Sequence, residues 1–426
     1  MSKQHAEICF VAFEEKDLMS LLPIYNSVRI HRPDARLFTI GFDRGYADSA
    51  LSFLFGATFP IIIAASPGSV TNWLEIIRPR WSYHLIGIEH GVSPFKKFTY
   101  SDAFLCYDDY FAPSILWKER LERLYPSRST RFHLGGYPKA NQFICLVPDE
   151  ARKDILPPIP YDVVVFSWGL KEEALFSLPD RDNVIYLLHP AQVEFSRPYP
   201  FKRSRVIISS LENTTSILSN ADRVFGDISS MTFEISQSKK TYLIIDRSLY
   251  IEDYDIDDSI MDPASDRFAY VPETDFKIDS TFILDKTLLI AALHGDPLIN
   301  TRPLNDNFLI ETIICPMQED LCTKGILSIA EGRERIMAEE KAPHHQEAAI
   351  EFIQHAYRLI LGREPDLDGL RHYLTKLNTS SSSALSGGLE ILLELAQSDE
   401  AMQRPVTFRD AWPKLMIGTD PRYETR

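Results

Sequence analysis

Two short segments hold the residue types that group transfer needs: HGVSPFKKFTYS, His90 to Ser101, and GDISSMTFE, Gly226 to Glu234. Each follows a run of strand-forming residues. In the second, Arg223 to Phe225 reads as a strand end and Met231 to Lys239 as a helix, which places Ser229 and Ser230 at the helix start. The first backbone N–H groups of a helix lack intrahelical acceptors, and the dipole there favours negative charge. With Asp227 beside them, the two serines form a candidate phosphate cradle; a plain serine N-cap has the same signature. His189 and Pro190 end the strand Tyr186 to Leu188 at the same rim, where the imidazole can donate to a phosphate oxygen.

The first segment supplies a candidate base. A histidine near neutral pKa can take a proton from an attacking hydroxyl, and Gly91 after it permits close backbone approach. Glu89 can either orient the His90 ring or act as the base itself. Lys96 and Lys97 can neutralise donor phosphates, although paired lysines also suit a solvated surface. Gly135-Gly136-Tyr137-Pro138-Lys139 reads as a tight turn. GxxxxGK[ST], GxGxxG, GxSxG and HExxH do not occur, which removes the usual sequence arguments for an NTPase, a dinucleotide oxidoreductase, a serine hydrolase or a zinc protease. Asp253, Asp255, Asp257 and Asp258 imitate an acidic metal motif but read better as a solvated loop. Glu364, Asp366, Asp368 and Gly369 imitate half a calcium loop that lacks its closing Glu.

The elements that must position these residues form two alternating sets. Up to Pro148, apolar runs recur at Ile8 to Phe13, Leu37 to Phe42, Phe59 to Ala64, Tyr83 to Ile88 and Ala103 to Tyr107, with helical spacing between several, as in Ala112 to Leu124. A proline-rich linker, Pro148 to Tyr161, precedes Val163 to Phe166, Val184 to Leu188, Val206 to Ser209, Val224 to Phe225 and Tyr242 to Ile245. Continuous apolar strands alternating with helices predict parallel sheets covered on both faces. The expected organisation is α/β: a Rossmann-like acceptor-side domain over 1–148 and a Rossmann-like donor domain over 160–325, facing a cleft. A charged linker over 326–347, read as a solvated helix or tether, and a small all-α domain over 348–404 complete it.

At 426 residues the chain exceeds one ordinary core, and 45% hydrophobic against 25% charged residues is a globular balance. A net charge of −15 argues against nucleic acid as a partner, so any anionic ligand must be held by local donors. Five scattered cysteines without a CxxC pair suit buried, reduced thiols, and no metal site is expected. MSKQHAEICFVAF fits a first strand better than a signal peptide, and no apolar run reaches the roughly 18 residues that span a bilayer. Together these predict a cytoplasmic protein.

At these residues the chain resembles the CDP-glycerol glycerophosphotransferase family, the teichoic-acid-type polymerases and primases of bacteria. HGVSPFKKFTYS resembles the family's His-Gly segment, GYPKAN (Gly136 to Asn141) its Gly-x-Pro-Arg-x-Asp, YLLHP (Tyr186 to Pro190) its His-Pro strand, and GDISSMTFE its Asp-Tyr-Ser-Ser with a downstream acid. The resemblance, over about residues 80 to 250, implies a metal-independent GT-B transferase in bacterial cell-surface polymer synthesis. His90 would be the base; His189, Ser229 and Ser230, with Asp227, Lys96 and Lys139 alongside, would hold the donor phosphates. It needs no cofactor, because the cytidine nucleotide is the donor substrate, and it implies a glycan or lipid-linked acceptor. A lipid-linked acceptor would bring the protein to the inner face of the membrane.

Lys139, Asn141, Ile228 and Glu234 depart from the family pattern and leave the transferred group open. Bacterial sialyl- and Kdo-transferases are similar in their His-Pro and Ser-Ser motifs and an acid before glycine, which Glu89 would match; a CMP-sugar donor is therefore an alternative. YRLILGREPDLDGLRHYL, Tyr357 to Leu374, resembles a helical module of unknown function found on bacterial surface and carbohydrate-related proteins. The module suggests a protein partner, and a non-catalytic scaffold acting through it is a further alternative.

Overall fold

A computed structural model describes residues 6–40, 60–77, 83–93, 96, 101–140, 160–190, 192, 195–210, 213–252, 280–304, 321–339 and 361–379, with scattered residues between 350 and 398. Lys97, Cys145, Cys315, the aspartates at 253–258 and the tail from Pro405 lie outside these residues.

The described strands form two six-stranded sheets, parallel throughout. The first contains β1 (Ile8–Ala12), β2 (Arg36–Thr39), β3 (Ile61–Ala64), β4 (His84–Ile88), β5 (Asp109–Ala112) and β6 (Arg131–Leu134) in the order β2-β1-β3-β4-β5-β6. The second contains β7 (Asp162–Phe166), β8 (Val184–Leu188), β9 (Arg205–Ile208), β10 (Arg223–Gly226), β11 (Lys240–Ile244) and β12 (Ile283–Leu284) in the order β12-β11-β10-β7-β8-β9. Both are doubly wound α/β sheets whose strand order reverses once, between β1 and β3 in the first and between β7 and β10 in the second.

Alternation of side chains across the pleat explains the continuous apolar runs. In the first sheet Cys9, Val11, Ile62, Ala64 and Leu85 pack with Val70, Trp73 and Leu74 of helix Pro67–Ile77 and with Trp117 and Leu121 of helix Ile115–Leu124. Ile8, Phe10, Ile61, Ile63, Ile86 and Ile88 face the other way, onto Leu21, Ile24 and Val28 of helix Glu15–His31. In the second sheet Val163, Val165, Ile185 and Leu187 meet Ile217 and Leu218, while Val164, Phe166 and Tyr186 join the same buried cluster as the first sheet's inner face. One apolar core thus runs through both lobes.

Three elements differ from the expectation. Ala103 to Tyr107, read as a strand, is the 3₁₀ helix Asp102–Cys106, and the strand is the following Asp109–Ala112. A short apolar run does not distinguish a buried strand from a buried helical turn, and the strand that does form opens on a charged residue, Asp109. The carboxylate is nonetheless fully buried, taking hydrogen bonds from His84 Nε2 (2.7 Å), Arg131 Nε (2.8 Å) and His133 Nε2 (2.5 Å). In helix Ile115–Leu124, where the spacing lets Ile115, Leu116, Leu121 and Leu124 share a face, the buried apolar residues among the described side chains are Trp117 and Leu121, whereas Ile115 and Leu124 are exposed.

The third difference is the stretch from Ile326. Through Glu339 it belongs to helix Leu321–Glu339, which follows the second lobe in sequence but packs on the first through Cys322, Ile326 and Ala330. A Cβ on Gly325 would stand 2.4 Å from the Phe111 ring, so glycine lets the helix approach the sheet. Glu334 accepts from Ala6 N (2.9 Å) and Arg32 Nη1 (3.1 Å), and Arg333 donates to His84 Nδ1 (2.7 Å). The charges read as solvation are partly docking contacts.

In the C-terminal module, Ile353, Tyr357, Leu361, Ile391 and Leu395 form a separate small core beside helix Leu367–Thr379. Asp366 caps that helix by accepting from Gly369 N (2.7 Å), and Glu364 pairs with Arg358. Among the described residues, no helix is long and apolar enough to cross a membrane.

Candidate active site at the seam between the lobes

The C-terminal strand edges of the two sheets meet. The turn after β4, Glu89 to Ser93, lies against the turn after β10, Asp227 to Ser230. Ser93 Oγ donates to the Ile228 carbonyl, and a Cβ on Gly91 would fall 2.5 Å from Ser230 Oγ. Any larger residue at 91 would force the Ser230 hydroxyl to swing aside, so glycine brings the neighbour of His90 directly onto the serine turn. The base candidate and the anion-holding candidate therefore share one seam.

His90 is held by its surroundings in a basic form. Its Nδ1 lies 2.8 Å from the carbonyl of Ala65, at the end of β3. A carbonyl can only accept, so Nδ1 carries the proton and Nε2 has the lone pair. Burial, then the positive charge of Lys16, holds the imidazole well below its ordinary 6.5, with Lys139 and Lys96 adding to the effect. The ring is neutral at physiological pH.

Glu89 has a different role. Its Oε1 accepts from His90 N and Gly91 N, both at 3.0 Å, and its Oε2 from the Tyr110 hydroxyl at 2.5 Å. Burial pushes the carboxyl up to about 7 against these donors, and the side chain is only 3% exposed. It ties the turn together and has little surface for a substrate.

Asp17, in the first turn of the helix after β1, accepts from Ser66 Oγ (2.7 Å), Phe13 N (3.1 Å) and Glu14 N (3.3 Å). It is fully buried, and burial raises it to about 6. Lys16 beside it pairs with Glu14 at 2.9 Å. These residues sit where the strand order of the first sheet reverses.

Asp227 and Lys139, both expected on donor phosphates, are held by protein partners instead. Asp227 accepts from Ser167 N (2.6 Å), Ser167 Oγ (3.1 Å), Ser229 N (2.8 Å) and the Tyr250 hydroxyl. A buried carboxylate with four donors shapes the turn and would repel a phosphate. Lys139 Nζ lies 3.1 Å from Glu234 Oε1, and the Tyr137 hydroxyl donates to the same carboxylate while standing 3.3 Å from the His90 carbonyl. Lys139, Tyr137 and Glu234 are all buried and link the lobes. The positive φ of Gly136 (75°) turns the chain so that both partners reach across.

Ser229 is the N-cap residue of a short helix, Ser230–Ile235, but its hydroxyl faces Thr232 Oγ1 at 3.1 Å instead of capping. Ser230 is the more open of the two. His189, after β8, lies on the same edge two strands from β10, a lateral separation of roughly 10 Å at normal strand spacing. Its carbonyl accepts from Gln192 N at 2.9 Å. Lys96 is half-buried near enough to act on His90.

Sequence reasoning missed Asp17, Ser66, Tyr110, Ser167 and Tyr250. Each lies outside the two motifs and acts through partners that only the strand order brings together.

Two parallel, doubly wound lobes with a neutral histidine and a serine turn at their seam define the class: a two-lobed α/β protein with a candidate active site between the sheets. A family model described as a domain of unknown function (DUF4214) matches residues 336–404, which takes in the whole C-terminal module and begins inside the docked helix. No curated protein matches the chain. Among solved structures, the wall teichoic acid polymerase TagF is similar at 14% identity and a TM-score of 0.46, over 78% of this chain and 90% of that one. S. aureus MnaA with UDP is similar at 8% and 0.46, over 79% and 99%. A UDP-N-acetylglucosamine 2-epimerase is similar at 11% and 0.43, over 80% and 98%.

Proposed function

We propose that the chain is a transferase that moves a glycerol-phosphate, polyol-phosphate or sugar from a cytidine-nucleotide donor to an acceptor hydroxyl in bacterial cell-surface polymer synthesis. The observation that carries this reading is the neutral His90, with Nε2 as its basic nitrogen, one residue from the Gly91–Ser230 contact. For a CDP-linked donor, Nε2 takes the acceptor's hydroxyl proton and the oxygen attacks the distal phosphorus. A new O–P bond forms as the bond to CMP breaks, and CMP leaves with the electron pair. Ser230 and the backbone N–H groups of its turn steady that phosphate, with His189 further along the edge. His90 is preferred to Glu89 as base because the glutamate's oxygens are already occupied. A lipid-linked acceptor would place the protein at the inner membrane face.

A donor panel tests the reading. CMP, CDP, CDP-glycerol and CMP-sugars are screened by thermal shift, and CMP release is followed with each donor. A ligand at about 100 times its Kd stabilises the fold by about 2.7 kcal/mol. Consumption of CDP-glycerol supports the first donor class, and consumption of a CMP-sugar substitutes the second. No response to any cytidine compound overturns the transferase and favours a scaffold.

Gly91→Ala is expected to push the Ser230 hydroxyl aside and weaken CDP binding about as much as Ser230→Ala, by about 1.5–3 kcal/mol for a hydrogen bond to a charged group. Because both changes remove the same contact, the double variant should bind no worse than Ser230→Ala, as measured by titration calorimetry. Additive losses would separate the glycine from the serine.

A further inference from the structure

The His90 tautomer depends on the direction of one peptide group. Ala65 and Ser66 follow β3, and the Ala65 carbonyl takes the Nδ1 proton at 2.8 Å. The next residue is fixed twice: Ser66 Oγ donates to Asp17 Oδ1 at 2.7 Å, and the Ser66 carbonyl accepts from Val70 N at 3.1 Å at the start of helix Pro67–Ile77. Asp17 is fixed in turn by Phe13 N and Glu14 N on its other oxygen, at the end of β1. β1 and β3 are neighbours, so the Asp17–Ser66 bond spans the reversal point of the sheet and joins its two outgoing turns.

We propose that Asp17 and Ser66 are positioning residues for the His90 imidazole, holding the Ala65–Ser66 peptide so that its carbonyl keeps Nδ1 protonated and Nε2 basic. The inference rests on His90 being the base. Neither residue touches the reacting atoms. A buried carboxylate is costly unless hydrogen-bonded, and helix capping alone requires only one of the two Asp17 oxygens. The second oxygen is given to Ser66, and that link is what the proposal explains.

Ser66→Ala separates the link from the cap, because Asp17 keeps its contacts to Phe13 N and Glu14 N. The full chain, labelled with ¹⁵N-histidine, is examined by NMR, with the His90 signals assigned by their loss in His90→Gln. The native protein should show a single tautomer protonated at Nδ1, and Ser66→Ala a mixture of both. With the donor identified by the panel, kcat should fall about 10- to 100-fold, in line with the loss from a misplacement near 1 Å, while donor KM stays within about twofold. Ser66→Thr, which restores the hydroxyl, should recover both the single tautomer and kcat.

An unchanged tautomer and an unchanged kcat in Ser66→Ala overturn the proposal. If Ser66→Ala fails to fold, Asp17→Asn is read in the same way: a neutral amide keeps an acceptor for one set of donors, and an unaltered His90 spectrum again overturns it. A mixed tautomer in a protein whose turnover does not need His90 would sustain the positioning and remove the transferase reading, so the two failures are distinguishable.

Discussion

His90→Ala is expected to lower turnover by about 10²- to 10⁴-fold, the usual contribution of a positioned general base, while leaving the affinity for CDP within about twofold. Binding should survive because the ring lies on the first lobe, and the residues assigned to the phosphate lie on the second. The pH profile adds an independent discriminator. A base works when deprotonated, so the acid limb of kcat/KM marks its pKa in the free protein. Burial and neighbouring positive charge hold His90 well below 6.5, which places the limb under that value. Burial raises Glu89 to about 7, so a glutamate base would put the limb near neutrality. A limb near pH 7 together with retained activity in His90→Ala would move the base to Glu89.

Much of the seam was legible because both motifs follow strand ends, and the edges of parallel sheets are where turns converge. Strands such as Ile61–Ala64 and Val184–Leu188 were readable for a related reason: with both faces buried, every position is apolar and the run stands out. The failures share one cause. Asp109 looks like a loop residue until His84, Arg131 and His133 are known to surround it. Helix Leu321–Glu339 looks solvated because the fully buried apolar residues among its described side chains are just Cys322, Ile326 and Ala330, and the glycine that lets it dock carries no side chain to notice.

The same holds within the site. His90, Gly91 and Ser230 could be placed from their own neighbours in sequence. The roles of Asp227 and Lys139 could not, because a carboxylate or ammonium takes its role from the partner it meets. Asp227 meets Ser167 from the end of β7 and Tyr250 from beyond the 3₁₀ helix Arg247–Leu249, and Lys139 meets Glu234 across the seam.

The largest expected loss of stability is at that cross-lobe pair. Glu234→Ala leaves the Lys139 ammonium buried, 6% exposed, without the carboxylate 3.1 Å away, and it also takes the closer of two acceptors from the Tyr137 hydroxyl, leaving the His90 carbonyl at 3.3 Å. Breaking a buried pair by removing one partner costs about 3–5 kcal/mol, far more than deleting a surface pair, because the remaining charge stays desolvated. Glu234→Gln keeps an acceptor for Tyr137 and should lose less. Replacing both charges, Lys139→Met with Glu234→Met, removes the stranded ion and should recover most of the stability, since apolar replacement of a buried pair is often neutral. Chemical denaturation of the native protein and these three variants measures the differences. A loss under about 1 kcal/mol in Glu234→Ala would mean that the seam admits water and that the pair does not fasten the lobes. The double variant also settles what Lys139 does for a ligand: if it binds CDP normally, the lysine is a latch, whereas a lasting binding defect in a stable double variant would return Lys139 to the donor phosphates.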